Sequence, residues 1–207
     1  NASWISLSEK VGGKIQNVTN YYKDNTYPTT GSKAKDIYSL SAIGLAIKSN
    51  ELYFSSSQYI GKITNDDIVT IIAGIPGSQG NASENSSADT SKLNGPQQIA
   101  FDSNGNLFVA ENAGNRIKKI DTNGIITTIA GTGTGGYSGD DSLATSAKIK
   151  NPFGIALDSS GNVYFSDYGN ACIRKINTDG IITTIAGTGT AGFSEDGGAA
   201  TSAKIYG

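Results

Sequence analysis

Ile125-Ile126-Thr127-Thr128-Ile129-Ala130-Gly131-Thr132-Gly133-Thr134 recurs, letter for letter, as Ile181-Ile182-Thr183-Thr184-Ile185-Ala186-Gly187-Thr188-Gly189-Thr190. Ala144-Thr145-Ser146-Ala147-Lys148-Ile149 recurs at the same offset as Ala200-Thr201-Ser202-Ala203-Lys204-Ile205. Working outward from these runs, residues 95–150 align with 151–206 without a gap, and 31 of the 56 positions are identical. A tandem period of this size is the mark of a propeller, a solenoid or an array. In each, one unit cannot bury both of its faces alone and packs against its neighbours.

Within one unit the pattern is that of a β-meander. Gly154-Ile155-Ala156-Leu157-Asp158 is a short apolar run closed by the turn residues Ser159-Ser160-Gly161-Asn162. Val163-Tyr164-Phe165-Ser166-Asp167 is aromatic and β-branched, which suits a strand. Cys172-Ile173-Arg174-Lys175-Ile176 gives a third strand, and Asn177-Thr178-Asp179-Gly180 is a hairpin signal leading into a fourth over 181–186. A linker of Gly, Thr, Ser and Asp then leads to the next copy. Four antiparallel strands joined by tight turns make one propeller blade.

The charge pattern separates a propeller from a solenoid. The first two strands are continuously apolar (Ile99, Ala100, Phe101; Leu107, Phe108, Val109), as expected of strands covered on both faces. Arg116, Lys118 and Lys119, with Arg174 and Lys175 in the next copy, enter only on the third strand, so charge is expected to rise away from the axis. A diverged copy spans 41–74, ahead of the clean blades at 95–131 and 151–187. Counting back by the same spacing puts outer strands of a degenerate blade within 1–20, at 4–7 and 14–19, while 188–207 reads as the loop opening a further blade. The expectation is an all-β propeller of about three and a half four-stranded blades. Propellers close with about four to eight, so more sequence or other chains are expected to complete it.

The unit resembles the NHL repeat. The motif residues are Ala186-Gly187-Thr188-Gly189 through Asp196-Gly197-Gly198 and Ala203-Lys204-Ile205, then Pro152-Phe153-Gly154-Ile155-Ala156-Leu157-Asp158, Gly161-Asn162-Val163-Tyr164, Asp167-Tyr168-Gly169-Asn170 and Ile173-Arg174-Lys175-Ile176. The match spans 41–207 and is tightest over the two clean copies. It departs at Glu111, Gly114 and Asp141-Ser142, which stand where Asp167, Asn170 and Gly197-Gly198 stand in the last copy. The resemblance implies a platform that binds proteins, RNA or glycans. It also brings in related propellers that are metal-dependent lyases and lactonases. Fold alone does not choose among these.

Composition narrows the choice. The chain has no His. That removes a His-ligated zinc site of the kind the lyase relatives use, the commonest general base, and every Ser-His-Asp or Cys-His arrangement. Asp102, Glu111, Asp158 and Asp167 repeat at strand ends with the period of the unit, which marks turn-forming positions rather than calcium ligands. Asp140-Asp141 and Glu195-Asp196 match no ordered calcium pattern, and the Gly-Thr-Gly-Thr runs lack the Lys and helix of a phosphate loop. No metal site, cofactor or catalytic residue is expected. With 16 Lys+Arg against 18 Asp+Glu there is no basic footprint for nucleic acid. No apolar run is long enough to span a membrane. Cys172 is the lone cysteine and reads as a buried thiol.

These readings converge on a non-enzymatic extracellular or cell-surface protein. Its blades are expected to act as a scaffold or as the subunit of a self-assembling fibre or surface layer. The alternative is a closed propeller that binds a protein or glycan through its loop face. The partners are then the chain itself or other extracellular proteins and glycans. The absence of Met fits a cleaved signal peptide or a fragment of a longer protein. Asn1, Asn17, Asn81 and Asn85 head glycosylation sequons. Their number is what chance would give in so Asn-, Ser- and Thr-rich a chain, but Asn81 and Asn85 fall in a polar loop that tolerates a glycan.

Overall fold

A computed structural model describes residues 30–31, 42–194 and 197–206. Three antiparallel sheets follow one another along the chain. The first holds β1 (Leu45–Lys48), β2 (Glu51–Ser55), β3 (Tyr59–Ile63) and β4 (Val69–Gly74) in sequence order. The second is built from β6 (Pro96–Phe101), β7 (Leu107–Glu111), β8 (Arg116–Ile120) and β9 (Ile125–Ala130), with β5 (Ser86–Ser87) added outside β9. The third is built from β11 (Ile155–Leu157), β12 (Val163–Asp167), β13 (Cys172–Ile176) and β14 (Ile181–Ala186), with β10 (Ser142–Leu143) added outside β14. The chain is thus all-β with propeller-type meanders. The fifth strand of each clean blade was not expected from sequence. It comes from the linker, which crosses the outer edge of the blade it leads into. We call this linker the strap.

Local chemistry sets the meander. Asp102 and Asp158 accept from the amides of Asn106 (2.8 Å) and Asn162 (2.9 Å), each closing the turn between the first two strands of its blade. Asp121 and Asn177 do the same for the last hairpin, accepting from Ile125 and Ile181 at 2.9 Å. At the end of each fourth strand stands a glycine: Gly74, Gly131 and Gly187, with φ of 84°, 90° and 92°. A Cβ there would run into the carbonyl oxygen of Gln58, Asn115 or Ala171 respectively. Both the left-handed backbone and the close approach demand glycine, which is why the I-A-G ending survives even in the diverged copy.

The core lies between sheets rather than within one. Tyr53, Ile60 and Ala73 of the first blade meet Ile99, Leu107, Val109 and Ile126 of the second, with Ala88 and Leu93 of the strap between them. Phe108, Ala110, Ile117 and Ala130 meet Ile155, Val163, Phe165 and Ile182 in the same way, around Ala144, Ala147 and Ile149 of the next strap. First strands of adjacent blades touch directly. The Gln98 amide donates to the Phe153 carbonyl at 3.2 Å, and its side chain to the Leu45 carbonyl at 3.3 Å.

The first blade also carries a strap. Gly31 donates to the Val69 carbonyl at 2.9 Å, as Asn85 does to Ile126 at 3.0 Å and Asp141 to Ile182 at 2.8 Å. All three strap residues have positive φ, of 96°, 56° and 60°, so the kink selects Gly, Asn or Asp. The outer strands expected at 4–7 and 14–19, and the acidic pair at 195–196, lie outside the described residues.

Candidate interaction site

The repeated carboxylates divide into two kinds. Asp102 and Asp158 shape turns. The Asn162 side chain donates to Asp158, and with the backbone and Tyr164 it holds the Asp158 carboxyl down at about 2. Glu111 and Asp167 are instead fully buried. Asp167 accepts from the Lys150 amide at 2.6 Å and the Asn170 side chain at 2.8 Å, and lies 3.6 Å from the Arg174 guanidinium. Glu111 accepts from the Asn94 amide at 3.0 Å, while its Oε2 has no hydrogen-bond partner among the described residues. Burial pushes both carboxyls above their ordinary range, against these hydrogen bonds and nearby cations.

Two of the five cations expected to mark the outward face are in fact among the most buried side chains. Lys118 and Arg174 occupy equivalent places in β8 and β13 and are fully buried. Each points out along the blade to an acid on the strap. Lys118 bonds Glu84 at 2.9 Å, and Arg174 bonds Asp140 at 2.7 Å. Arg174 also donates to the strap carbonyls of Lys148 (3.2 Å) and Ser138 (3.1 Å), and lies 5.2 Å from the centre of the Tyr137 ring. Burial acts to raise the Glu84 and Asp140 carboxyls. Hydrogen bonds from Thr128 and Thr184, and the paired cations, outweigh it and hold both below the ordinary range. Asp140 is therefore a structural ion-pair partner. Cys172 is buried near Asp167, and burial pushes its thiol up to about 12, where it is inert. Among the described residues no group of three or more His, Cys, Asp and Glu could hold a metal.

An exposed aromatic pair stands at the end of the sheets where the straps leave. Phe153 precedes β11 and Tyr168 follows β12, so antiparallel pairing brings them to the same end. The rings are 6.2 Å apart at 42°, and the residues are 46% and 51% exposed. Gln97 and Asn112 take these positions in the second blade, so the aromatic pair is particular to the third. Beside it, Asn112 donates to the carbonyls of Asn151 (3.2 Å) and Pro152 (3.4 Å), and Asn151 donates back to the Asn112 carbonyl (3.3 Å). The result is a fixed apolar step edged by amides, suited to a flat ligand surface such as a sugar ring or an apolar side chain. Sequence periodicity conceals this pair, because its signal is a break in the repeat. Of the sequon residues, Asn81 and Asn85 are exposed, while Asn1 and Asn17 lie outside the described residues.

Similarity to known proteins agrees with the repeat. The family model described as the teneurin NHL domain matches residues 73–138 and again 134–205. Teneurin-1 of Mus musculus is 33% identical over 147 residues, covering 62% of this chain but only 5% of that protein. A Bacteroides thetaiotaomicron protein of unknown function shares the fold with a TM-score of 0.62 at 23% identity, over 79% of this chain and 40% of its own. A gluconolactonase from Xanthomonas campestris shares it with a TM-score of 0.52 at 13% identity, over 76% and 48%; that likeness concerns fold alone. No helix among the described residues is long and apolar enough to cross a membrane. With the family model matching two consecutive units over most of the described chain, and all-β sheets of the corresponding shape, this chain belongs to the teneurin NHL domain family of NHL-repeat propellers.

Proposed function

We propose that the chain is part of a non-enzymatic extracellular interaction module. Its stacked blades form a rigid scaffold, and the end of the sheets around Phe153 and Tyr168 binds a protein or glycan partner. The observation that carries this reading is the exposed aromatic pair beside the Asn112–Asn151 amides. Solvent-exposed aromatics fixed on a rigid framework lose little entropy on binding. The buried carboxylates, by contrast, are engaged in holding strap to blade and are not convergent on a cleft. Asn81 and Asn85 are proposed glycan acceptors. Mass spectrometry of native material that found both unmodified would count against the extracellular assignment.

The test is binding of the soluble protein to glycan arrays and to panels of extracellular protein domains, with Phe153→Ala/Tyr168→Ala beside it. A loss of at least ~10-fold in affinity is expected for whichever ligand is found. Ile47→Ser at an exposed residue of the first blade serves as control and is expected to bind normally. Equal binding by all three proteins would refute the assignment of the face. The fibre reading is less well supported. Each described blade already carries a strap on its outer edge, so that edge offers no free strand for a second copy to continue from. Light scattering and negative-stain microscopy separate the two readings, filaments favouring the fibre.

A further inference from the structure

The pair Asn-Gly occurs three times in the chain, at Asn94-Gly95, Asn104-Gly105 and Asn123-Gly124. Glycine has no Cβ, so its backbone nitrogen can come close to the side chain of the residue before it. The three pairs are alike in sequence, and the fold makes them unlike.

Asn94 lies at the end of the sheets where the straps leave, just before β6, and is fastened on both main chain and side chain. Its amide donates to Glu111 and its carbonyl accepts from the Gly114 amide, each at 3.0 Å. Its side chain accepts from Gln79 at 2.8 Å and donates to Asn81 at 3.1 Å. Gly95 is buried, and its carbonyl accepts from the Asn112 amide at 2.9 Å. Asn104 and Asn123 stand at the opposite end, in the β6–β7 and β8–β9 turns, and both are exposed. There the glycine is anchored on its far side: Lys48 donates to the Gly105 carbonyl at 2.9 Å, and the Ala88 amide to the Gly124 carbonyl at 2.8 Å. The asparagine side is held from within the turn. The Gly105 amide donates to the Asp102 carbonyl at 3.1 Å, and the Gly124 amide to the Asp121 carbonyl at 3.0 Å. Asp121 also accepts from the Asn123 amide at 2.9 Å and from its side chain. A Cβ on Gly124 would meet nothing within 4 Å, so the tip has room to move. Bonds within an exposed turn open at a far lower free energy than those of a packed segment.

We propose that Asn104 and Asn123 are sites of spontaneous deamidation in the folded protein, and that the fold protects Asn94. When the turn opens, the glycine nitrogen loses its proton to the solvent and attacks the side-chain carbonyl carbon of the asparagine. The new C–N bond closes a five-membered succinimide, and the side-chain nitrogen takes up a proton and leaves as ammonia. Water then opens one of the two ring C–N bonds, giving aspartate or the β-linked isoaspartate. Each event replaces a neutral amide by a carboxylate, so the two add two negative charges to a net charge of −2. Aspartate at 123 reproduces the Asp179-Gly180 turn of the third blade, which the same meander accepts. Isoaspartate adds a backbone atom before Gly124 and draws Ile125 away from Asp121, to which it donates at 2.9 Å.

The experiment is peptide mapping of the 207-residue chain aged in mildly alkaline buffer, with fragmentation that separates aspartate from isoaspartate. In the folded chain Asn104 and Asn123 are each expected to deamidate at least ~10-fold faster than Asn94. In the chain unfolded in urea the three are expected to react within ~3-fold of one another, because only the local sequence then acts. Gln79→Ala with Asn81→Ala releases the Asn94 side chain and is expected to speed its reaction at least ~3-fold in the folded chain. Asn94 reacting as fast as either turn residue in the folded chain would overturn the proposal. So would the same order of rates in urea, which would make it a property of sequence alone. Folded chains that leave Asn104 and Asn123 intact while unfolded chains lose them overturn it equally.

Discussion

The first and third described blades solve one position in opposite ways. In the third, Arg174 is buried in the middle of the third strand between Asp167 of its own sheet and Asp140 of the strap. In the first, Gly61 stands there, Ser56 replaces the aspartate, and Thr30 replaces the strap acid. The Phe54 ring fills the place instead; a Cβ on Gly61 would come within 2.5 Å of it. The strap still lies in the same register, with Gly31 bonded to Val69 and Thr30 accepting from the Ile71 amide at 3.3 Å. The meander therefore does not need the cation. Backbone pairing places the strap, and the ion pair adds to it. A modest contribution of this kind agrees with the weak net stabilisation expected of buried ion pairs.

This comparison is best broken at Arg174. Arg174→Gly leaves Asp167 buried without its cation and Asp140 unpaired, and is expected to cost about 3–5 kcal/mol in urea unfolding. Converting the third blade to the first one's solution, with Asp140→Thr, Asp167→Ser and Arg174→Gly together, is expected to cost about 1–3 kcal/mol less than Arg174→Gly alone. A triple variant at least as unstable as the single one would show that the ion pair itself, and not the stranded charge, stabilises the blade.

Smaller exchanges sharpen the contrast between the second and third blades. Arg174→Lys forfeits the two strap carbonyl bonds and the contact with Tyr137, and is expected to cost about 1–2 kcal/mol. Lys118→Arg faces a strap without the ring and is expected to be neutral within about 0.5 kcal/mol. A third exchange repairs the unpartnered Glu111 Oε2. In the third blade Asn170 donates to Asp167, but in the second Gly114 stands there, and a Cβ on it would be 3.1 Å from that oxygen. Glu111→Asp with Gly114→Asn shortens the acid and restores the donor, and is expected to add about 1 kcal/mol. Gly114→Asn alone crowds the longer Glu111 side chain and is expected to gain less.

Most of the architecture was legible because the repeat keeps its spacing without a gap over 95–206. Turn residues such as Asp158 and Asn177 act through local hydrogen bonds that sequence spacing records faithfully. What the sequence concealed depends on contacts far along the chain. Glu84 meets Lys118, and Asp140 meets Arg174, across 34 positions, so the acid and the cation look like separate solvated charges. The same distance hid the fifth strands, whose two-residue runs Ser86–Ser87 and Ser142–Leu143 carry no strand pattern. Phe153 and Tyr168 escaped because repeat reading rewards sameness, and at these two positions the copies differ.

Glu111 offers the finest test of the contrast, because its charge opposes folding while the strap acids favour it. Burial raises the Glu111 carboxyl above 4.5, its ordinary value, so between those two pH values the native chain holds a proton that the unfolded chain has lost. Native stability contributed by this group therefore rises as pH falls through the raised value. Asp140 has the opposite sign: its carboxyl is held below 3.8, so its stabilisation is present above that value and is lost as pH falls through the depressed one. Glu111→Gln is expected to stabilise the chain most at pH above the raised value, and its advantage is expected to shrink on mild acidification, while Asp140 remains ionised. Paired urea titrations between about pH 5 and 8 measure this difference directly. An advantage independent of pH would mean that Glu111 is ionised in the native as in the unfolded chain throughout that range, so that Lys118 faces a charged Glu111 as well as the charged strap acid.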